Sequence, residues 1–288
     1  MITELQPGDF HAALPLYREA GACFPLILAV LEGSQRGQVF ADRRDAPRAA
    51  FVVNNFGFAL LLDPEGGGTL DPALAGLLRE GDALRPSYLL WYAPPARWRR
   101  GLDALAPAPA RRRERVRMKF VGAGADSSGE GESCPPGFEL RRMDDELLPR
   151  ADKFGLHLGS RFWSSDAQFI EHGMGVCLVK DGEIASLCYA AAVAGGLAEV
   201  DVVTDERFRG GGLATFAARR FVEECRVRGL TPAWDCFTYN AGSLKLAEKI
   251  GFVRGDEYLF YSFNVPADLA PPGAGGGGDA RATLEGTD

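Results

Sequence analysis

The sequence predicts an α/β protein of the α+β kind. A mixed, mostly antiparallel central sheet flanked by helices forms its C-terminal half, and a separate α/β half precedes it. Three observations carry this. Apolar residues switch repeatedly between period 2 and helical spacing along both halves. A Gly/Ser-rich, acidic stretch, V121-GAGADSSGEGESCPPG137, breaks the chain in the middle. A glycine-rich turn, R207-FRGGGLAT215, stands between an apolar strand and a long amphipathic helix.

The breaks divide the 288 residues into an N-terminal α/β domain at 1–121, a flexible linker at 122–137, a second domain at 138–265 and a disordered tail at 266–288. In the first domain, D9–A22 and P25–E32 read as helices. G37–D42 and A49–L62 read as strands, the latter folded into a hairpin at Asn54–Gly57. P72–E80 is a helix, S87–A93 a buried strand and R115–V121 a last alternating strand. The arginines at 97, 99, 100 and 111–113 read as a solvated basic surface beside a loop at 104–110. L62-DPEGGGTL70 reads as a hairpin or loop.

The second domain opens with strand F138–M143, then helices at D144–K153 and around S165–G173. Two strands joined by the hairpin pair Asp181-Gly182 follow, then strand L197–T204. After the glycine turn come a helix from Gly212 to Arg228, stopped by Gly229, strand T231–F237, helix S243–I250 and strand E257–F263.

Composition narrows the function. A hydrophobic fraction of 46%, a charged fraction of 25% and a net charge of -7 describe an ordinary globular chain and argue against a nucleic-acid-binding surface. Six scattered cysteines with no C-x-x-C pair, and only three histidines, predict no metal site. Several cysteines lie inside apolar runs, as small hydrophobes in a reducing compartment do. The start MITELQPGDFHAAL lacks a basic-then-apolar signal pattern, and no apolar run is bilayer-length. The expectation is a cytoplasmic monomer or homodimer without membrane partners.

Glycines at a helix start leave the first N–H groups open to a ligand, and with the helix dipole that makes an anion site. The P-loop template fails, because no lysine follows the glycines. The dinucleotide template is broken at Thr215. The pattern [RQ]-x-x-G-x-[GA] after a strand fits twice, with Arg207 or Arg209 leading; Arg209-Gly210-Gly211-Gly212-Leu213-Ala214 gives the better register. This segment resembles the acetyl-CoA motif of the GCN5-related N-acetyltransferases, as does W234-DCFTYNAGSLKLAEKIGF252, in which Asn240, Ser243, Lys249, Gly251 and Phe252 fit the family's closing pattern. The strand order of 138–263 agrees with that fold. Finer similarity points to the acetyltransferases related to the zwittermicin A resistance protein, and the two-half arrangement resembles glycine N-acyltransferases. The N-terminal half would then be a degenerate copy of the same unit.

The resemblance implies acetyl-CoA as co-substrate and a small-molecule amine as acceptor. It places Val202, Val203, Thr204, Arg209, Gly210, Gly211, Gly212, Leu213, Ala214, Thr215, Asn240 and Ser243 around the coenzyme. The splayed central strands would be L197–T204 and T231–F237. Glu199 and Asp201 share one strand face, so either carboxylate could serve as general base, Glu199 being preferred. Many family members carry a tyrosine where this chain has Ala247, which removes that donor to the leaving thiolate. Hence two alternatives stand beside a small-molecule acetyltransferase: a coenzyme-binding module with little or no turnover, and a protein N-acetyltransferase. F154–W163 reads as a lining of the acceptor pocket, with Phe162 and Trp163 equally suited to the core.

Overall fold

A computed structural model describes residues 2–80, 83–99, 111–122 and 133–263. Most of the expected linker (123–132), the tail and the loop at 104–110 lie outside the described residues.

The chain forms two compact units, and they do not divide at 122–137. The first holds the described residues up to Glu114 together with Tyr258–Phe263; the second holds Arg115–Glu257. Alternation explains the displaced boundary. In the strand Arg111–Phe120, Val116 and Met118 are buried in the core of the second unit, and Arg115 and Arg117 face Asp235. Those residues are part of the second sheet, although they precede the Gly/Ser-rich stretch. The last strand, Phe252–Phe263, likewise gives its final six residues to the first unit.

In the first unit, β1 (Thr3–Glu4) leads through a 3-10 segment, Pro7–Ala13, to the short helices α1 (Leu14–Glu19) and α2 (Pro25–Leu31). Next come β2 (Gly37–Ala41), β3 (Ala50–Asn54) and β4 (Phe58–Leu62), all antiparallel neighbours. The β3–β4 hairpin turns on Asn54, whose Oδ1 accepts from Phe56 N at 3.1 Å and Phe58 N at 2.9 Å. Helix α3 (Asp71–Glu80) follows, then β5 (Leu89–Tyr92) and α4 (Ala96–Arg99). Strand β5 runs parallel to β4, paired at Phe58–Leu90 and Ala59–Trp91, and its other edge takes Phe260–Phe263 antiparallel. Phe51, Trp91 and Trp98 fill the core with Leu70, Leu74 and Leu77 from the α3 side.

The stretch 62–70 joins β4 to α3, so it is a strand-to-helix connection and not a hairpin. Gly66 and Gly68 have φ of 69° and 64°. Arg97, expected on a solvated basic face, instead binds Asp71 at 2.5 Å and also Asp63, whose Oδ2 accepts from Gly68 N at 3.0 Å.

The second unit takes β6 (Arg111–Phe120), through its residues from Arg115 on, and continues with β7 (Glu139–Arg142). The helix expected at D144–K153 is a pair of turns and a 3-10 segment, Pro149–Phe154. Pro149 has no N–H to donate within a helix, and the Asp144 Oδ1 accepts from Glu146 N and Leu147 N, closing the chain into a turn. Two short helices follow, α5 (Leu158–Arg161) and α6 (Asp166–His172), the latter capped by Ser165. Strands β8 (Gly175–Lys180) and β9 (Glu183–Ala194) meet at Asp181-Gly182, both at positive φ as the tight hairpin requires.

Strand β10 (Leu197–Thr204) pairs antiparallel with β9, leading through the glycine turn to α7 (Leu213–Val227), then β11 (Thr231–Phe237), α8 (Ala241–Lys249) and β12 (Phe252–Phe263). Gly229, at φ 67°, ends α7. The strand order is β7-β8-β9-β10-β11-β6, with the first half of β12 beyond β6. Both units thus repeat one plan: four antiparallel strands, a glycine-rich turn, a helix, and a fifth strand parallel to the fourth. Helices α7 and α8 pack Ala217, Phe221, Cys225 and Ala247 against Val200, Val202, Trp234, Cys236, Val116 and Met118.

This strand exchange makes a direct prediction. A fragment beginning at residue 123 lacks Arg115–Phe120, which exposes one edge of β11 and leaves buried Asp235 without Arg115. It is expected to show no cooperative unfolding by circular dichroism alone, and to regain it when co-expressed with residues 1–122.

Candidate active site

The site begins where two strands part. Strands β10 and β11 run parallel but pair only at Leu197–Thr231, Ala198–Pro232 and Glu199–Ala233. From Val200 to Thr204, β10 keeps β9 as its partner and no register with β11. On the β9 side the register slips between Glu199 and Val200, where Ala191 has no opposite residue. Such a bulge increases local twist beside the fork.

Alternation sorts the side chains there. Ala198, Val200 and Val202 enter the core under α7 and α8, so Glu199 and Asp201 occupy the opposite face. Glu199 is at the last paired position and is 9% exposed; Asp201 is on the separated part of the strand. Tyr189, wholly buried and directly across from Asp201, donates its phenol to Oδ2 at 2.6 Å. Val202 N donates to Oδ1 at 2.9 Å. Burial lifts the Asp201 carboxyl to about 6, against the opposing pull of those two donors and of the Arg115 and Arg161 charges.

Across the fork, β11 presents Asp235 and Phe237 on the same face. Arg115 Nε donates to Asp235 Oδ1 at 2.5 Å and its Nη2 to the Asp235 carbonyl at 2.8 Å, both side chains being 8% exposed. The guanidinium also lies 4.7 Å from the Phe237 ring centre, and the Tyr239 ring stacks with Phe237 at 5.2 Å between ring centres. The Arg115–Asp235 pair and Tyr189 left no assignable signal in the sequence. Asp235, between apolar Trp234 and Cys236, was a visible signal of a polar strand face; its partner lies 120 residues away and left no local trace. Tyr189 sits inside the otherwise apolar run L187-CYAAAV193.

The glycine turn stands beyond the open end of β10. Gly210 and Gly212 have φ of 78° and 77°, and nothing lies within 4 Å of where a Cβ would stand on either. Arg207 is engaged by Asp205 through both carboxylate oxygens, at 3.0 and 2.7 Å. That guanidinium holds the Asp205 carboxyl well below the usual carboxylate range. Arg209 instead turns back to the Thr204 carbonyl at 3.4 Å and to Glu206 at 3.1 Å. Phe208 locks the approach to the turn by an edge contact with Phe138 at 5.6 Å. Leu213 is buried, and Ala214 and Thr215 are half-buried on the first turn of α7.

The remaining expected residues divide. Val202 is a core residue, Val203 is buried, and the Thr204 hydroxyl meets Ser186 Oγ at 2.9 Å. Asn240 caps α8, its Oδ1 accepting from Ser243 N at 3.0 Å. Ser243 is turned inward: its Oγ accepts from Trp234 Nε1 at 3.0 Å. Ala247 is wholly buried. Phe162 and Trp163 are core residues, with the Trp163 indole donating to the Ala190 carbonyl. Burial pushes the Cys177 and Cys225 thiols up to about 12, as expected of apolar packing residues. Among the described residues no group of His, Cys, Asp or Glu is placed to hold a metal ion, and no helix is long and apolar enough to cross a membrane.

A family model described as GNAT acetyltransferase matches residues 20–261. The chain belongs to that family. It is an N-acetyltransferase, and the match runs from α2 of the first unit through the second repeat. The chain is 26% identical over 239 residues to an uncharacterized N-acetyltransferase, YdfB, of Bacillus subtilis (strain 168), covering 83% of this chain and 90% of that one. Among solved structures, a GCN5-related N-acetyltransferase-like protein from Streptococcus suis 89/1591 superposes with a TM-score of 0.70 at 20% identity, over 90% of this chain and 100% of the other. A tandem GNAT protein from the clavulanic acid biosynthesis pathway gives 0.60 at 12% identity, over 93% of this chain and 100% of its own. This is the GNAT fold, and its occurrence in tandem accords with the two repeated units.

The inward hydroxyl yields a stability prediction for this GNAT chain. Ser243→Ala leaves the buried Trp234 indole N–H without its acceptor, which costs about 1–3 kcal/mol. Urea denaturation followed by tryptophan fluorescence is expected to show that loss as a lower midpoint at unchanged slope.

Proposed function

We propose that the protein transfers acetyl from acetyl-CoA to a primary amine of a small molecule by direct attack, with Asp201 as general base. The observation that carries this is the fork: β10 separates from β11 after Glu199, and the first carboxylate beyond that point, Asp201, has its pKa lifted by burial to about 6. A base of that strength is ionised at neutral pH yet more basic than an ordinary carboxylate, which suits proton removal from an ammonium. Glu199, preferred on sequence, is at the last paired position and is the second candidate.

The residues present fit the coenzyme. Open space above Gly210 and Gly212 allows close approach to backbone N–H groups at the start of α7, and Arg209 stands beside them. When bound, acetyl-CoA supplies the activated acyl group as a thioester. The turn from Arg209 to Thr215 would hold its diphosphate. The edge of β10 from Val202 to Thr204, without β11, would pair with the pantetheine amides. Asn240 and Ser243 would act by fixing the start of α8, since their polar atoms are engaged there. Asp201 takes the amine proton. Ala247 has no proton to give to the leaving thiolate. The finer sequence resemblances suggest metabolite modification or amino-acid conjugation as the setting.

Calorimetric titration with acetyl-CoA, followed by thiol release over a panel of amines, tests the reading. Binding with steady release supports it; binding without release from any amine or peptide would mark a coenzyme-binding module, and no binding would overturn it. Arg209→Ala is expected to weaken acetyl-CoA about tenfold or more, since hydrogen bonds to charged groups are worth about 1.5–3 kcal/mol. Arg207→Ala, with its guanidinium already held by Asp205, should change it far less. Asp201→Asn is expected to lower kcat by about 10²–10⁴ with little change in KM for acetyl-CoA. In the wild type kcat/KM should rise with pH through about 6 as Asp201 loses its proton, and the variant should lose that limb.

A further inference from the structure

We infer that Tyr189 is a positioning residue for acetyl transfer, its phenol fixing the Asp201 carboxylate beside the fork and favouring the ionised form that accepts a proton. This rests on the reading of Asp201 as general base.

The geometry is specific. Tyr189 and Asp201 are direct cross-strand partners on β9 and β10, two residues along the strand from the bulge at Ala191. The phenol is fully buried and its hydrogen bond is short, 2.6 Å. Asp201 therefore receives one donor on each oxygen, Tyr189 on Oδ2 and Val202 N on Oδ1. A carboxylate accepts about four hydrogen bonds, so lone pairs remain for an incoming amine or water. A phenylalanine would fill the same space within the apolar run of β9. A buried hydroxyl, by contrast, is costly without an acceptor, and this one has Asp201.

The electrostatic surroundings can be enumerated element by element. On β9, Tyr189 and Cys188 stand near Asp201, and burial raises both above their ordinary values, so both are neutral at pH 7. Arg115 on β6 and Arg161 on α5 are the cations that act on it. Glu199 shares its strand face, and Asp235 is bound to Arg115. Among these, Tyr189 is the side chain that touches Asp201 with a proton to share. Removing that proton withdraws a donor from the charged form. The Asp201 carboxyl should then hold its own proton to higher pH.

The test is the pH profile of kcat/KM with acetyl-CoA saturating. Tyr189→Phe is expected to move the acid limb up by about one pH unit, which is about a tenfold loss below the limb, with activity regained above it and KM for acetyl-CoA unchanged. Incorporation of 3-fluorotyrosine at 189, a stronger donor of the same shape, should move the limb down. This second measurement stands even if Tyr189→Phe folds poorly. The double variant with Asp201→Asn should be no worse than Asp201→Asn alone. If Asp201→Asn abolishes the limb while neither change at 189 shifts it, the role of Tyr189 is overturned and Asp201 remains the base. If Asp201→Asn retains both rate and limb, the base assignment itself falls, and this inference with it.

Discussion

Three residue pairs hold β10 and β11 together, and everything about the site follows from their stopping at Glu199. Backbone donors and acceptors in a sheet must find partners, so strands that part need compensation on their other edges. Here β10 retains β9 along its whole length, and β11 takes β6 from Trp234 to Phe237. Each strand is thus supported on its outer side while the inner side opens. That is how a gap can exist in the middle of a sheet without unravelling it. The opening is aimed at the start of α7, because β10 feeds that helix through the glycine turn.

Three aspartates near this fork show how environment assigns chemistry to one residue type. Asp205, hydrogen-bonded by the Arg207 guanidinium, is kept strongly acidic and serves as a fastener for the turn. Asp235 is buried with Arg115, a pair whose separation would leave a charge stranded at several kcal/mol. Asp201 is half-buried without a cation in direct hydrogen-bonding contact, and desolvation prevails over its neutral donors. Two carboxylates are structural by their pairing. The third retains proton affinity near neutrality.

Local chemistry was legible in the sequence, and long-range pairing was not. The Asn54 and Asp181-Gly182 hairpins, the Gly229 stop and the strand–turn–helix at 197–228 each depend on neighbours a few residues apart, and each stands where expected. The 144–153 helix failed because Pro149 and the Asp144 turn outweigh helical periodicity. The boundary at 121 failed for a different reason. The Gly/Ser-rich stretch is a break in composition, but Arg115–Phe120 finds its pairing with residues more than a hundred positions later. The acidic strand face could be read from alternation; which of its two carboxylates is set apart required the end of the β10–β11 register, and Tyr189 required the cross-strand one.

The two glycine turns differ in one respect that reaches into thermodynamics. In the first unit the turn already has an anion, since Gly68 N donates to Asp63, and Arg97 binds Asp63 and Asp71 together. That carboxylate is covalently part of the chain, so its occupancy does not depend on any concentration. Among the described residues, no such side chain lies within 4 Å of a Cβ position on Gly210 or Gly212. An anion that must arrive from solution adds a term in its own activity to the stability of the fold around it. One copy of the plan is therefore self-contained, while under the proposed function the other would have its melting point set by the supply of the coenzyme.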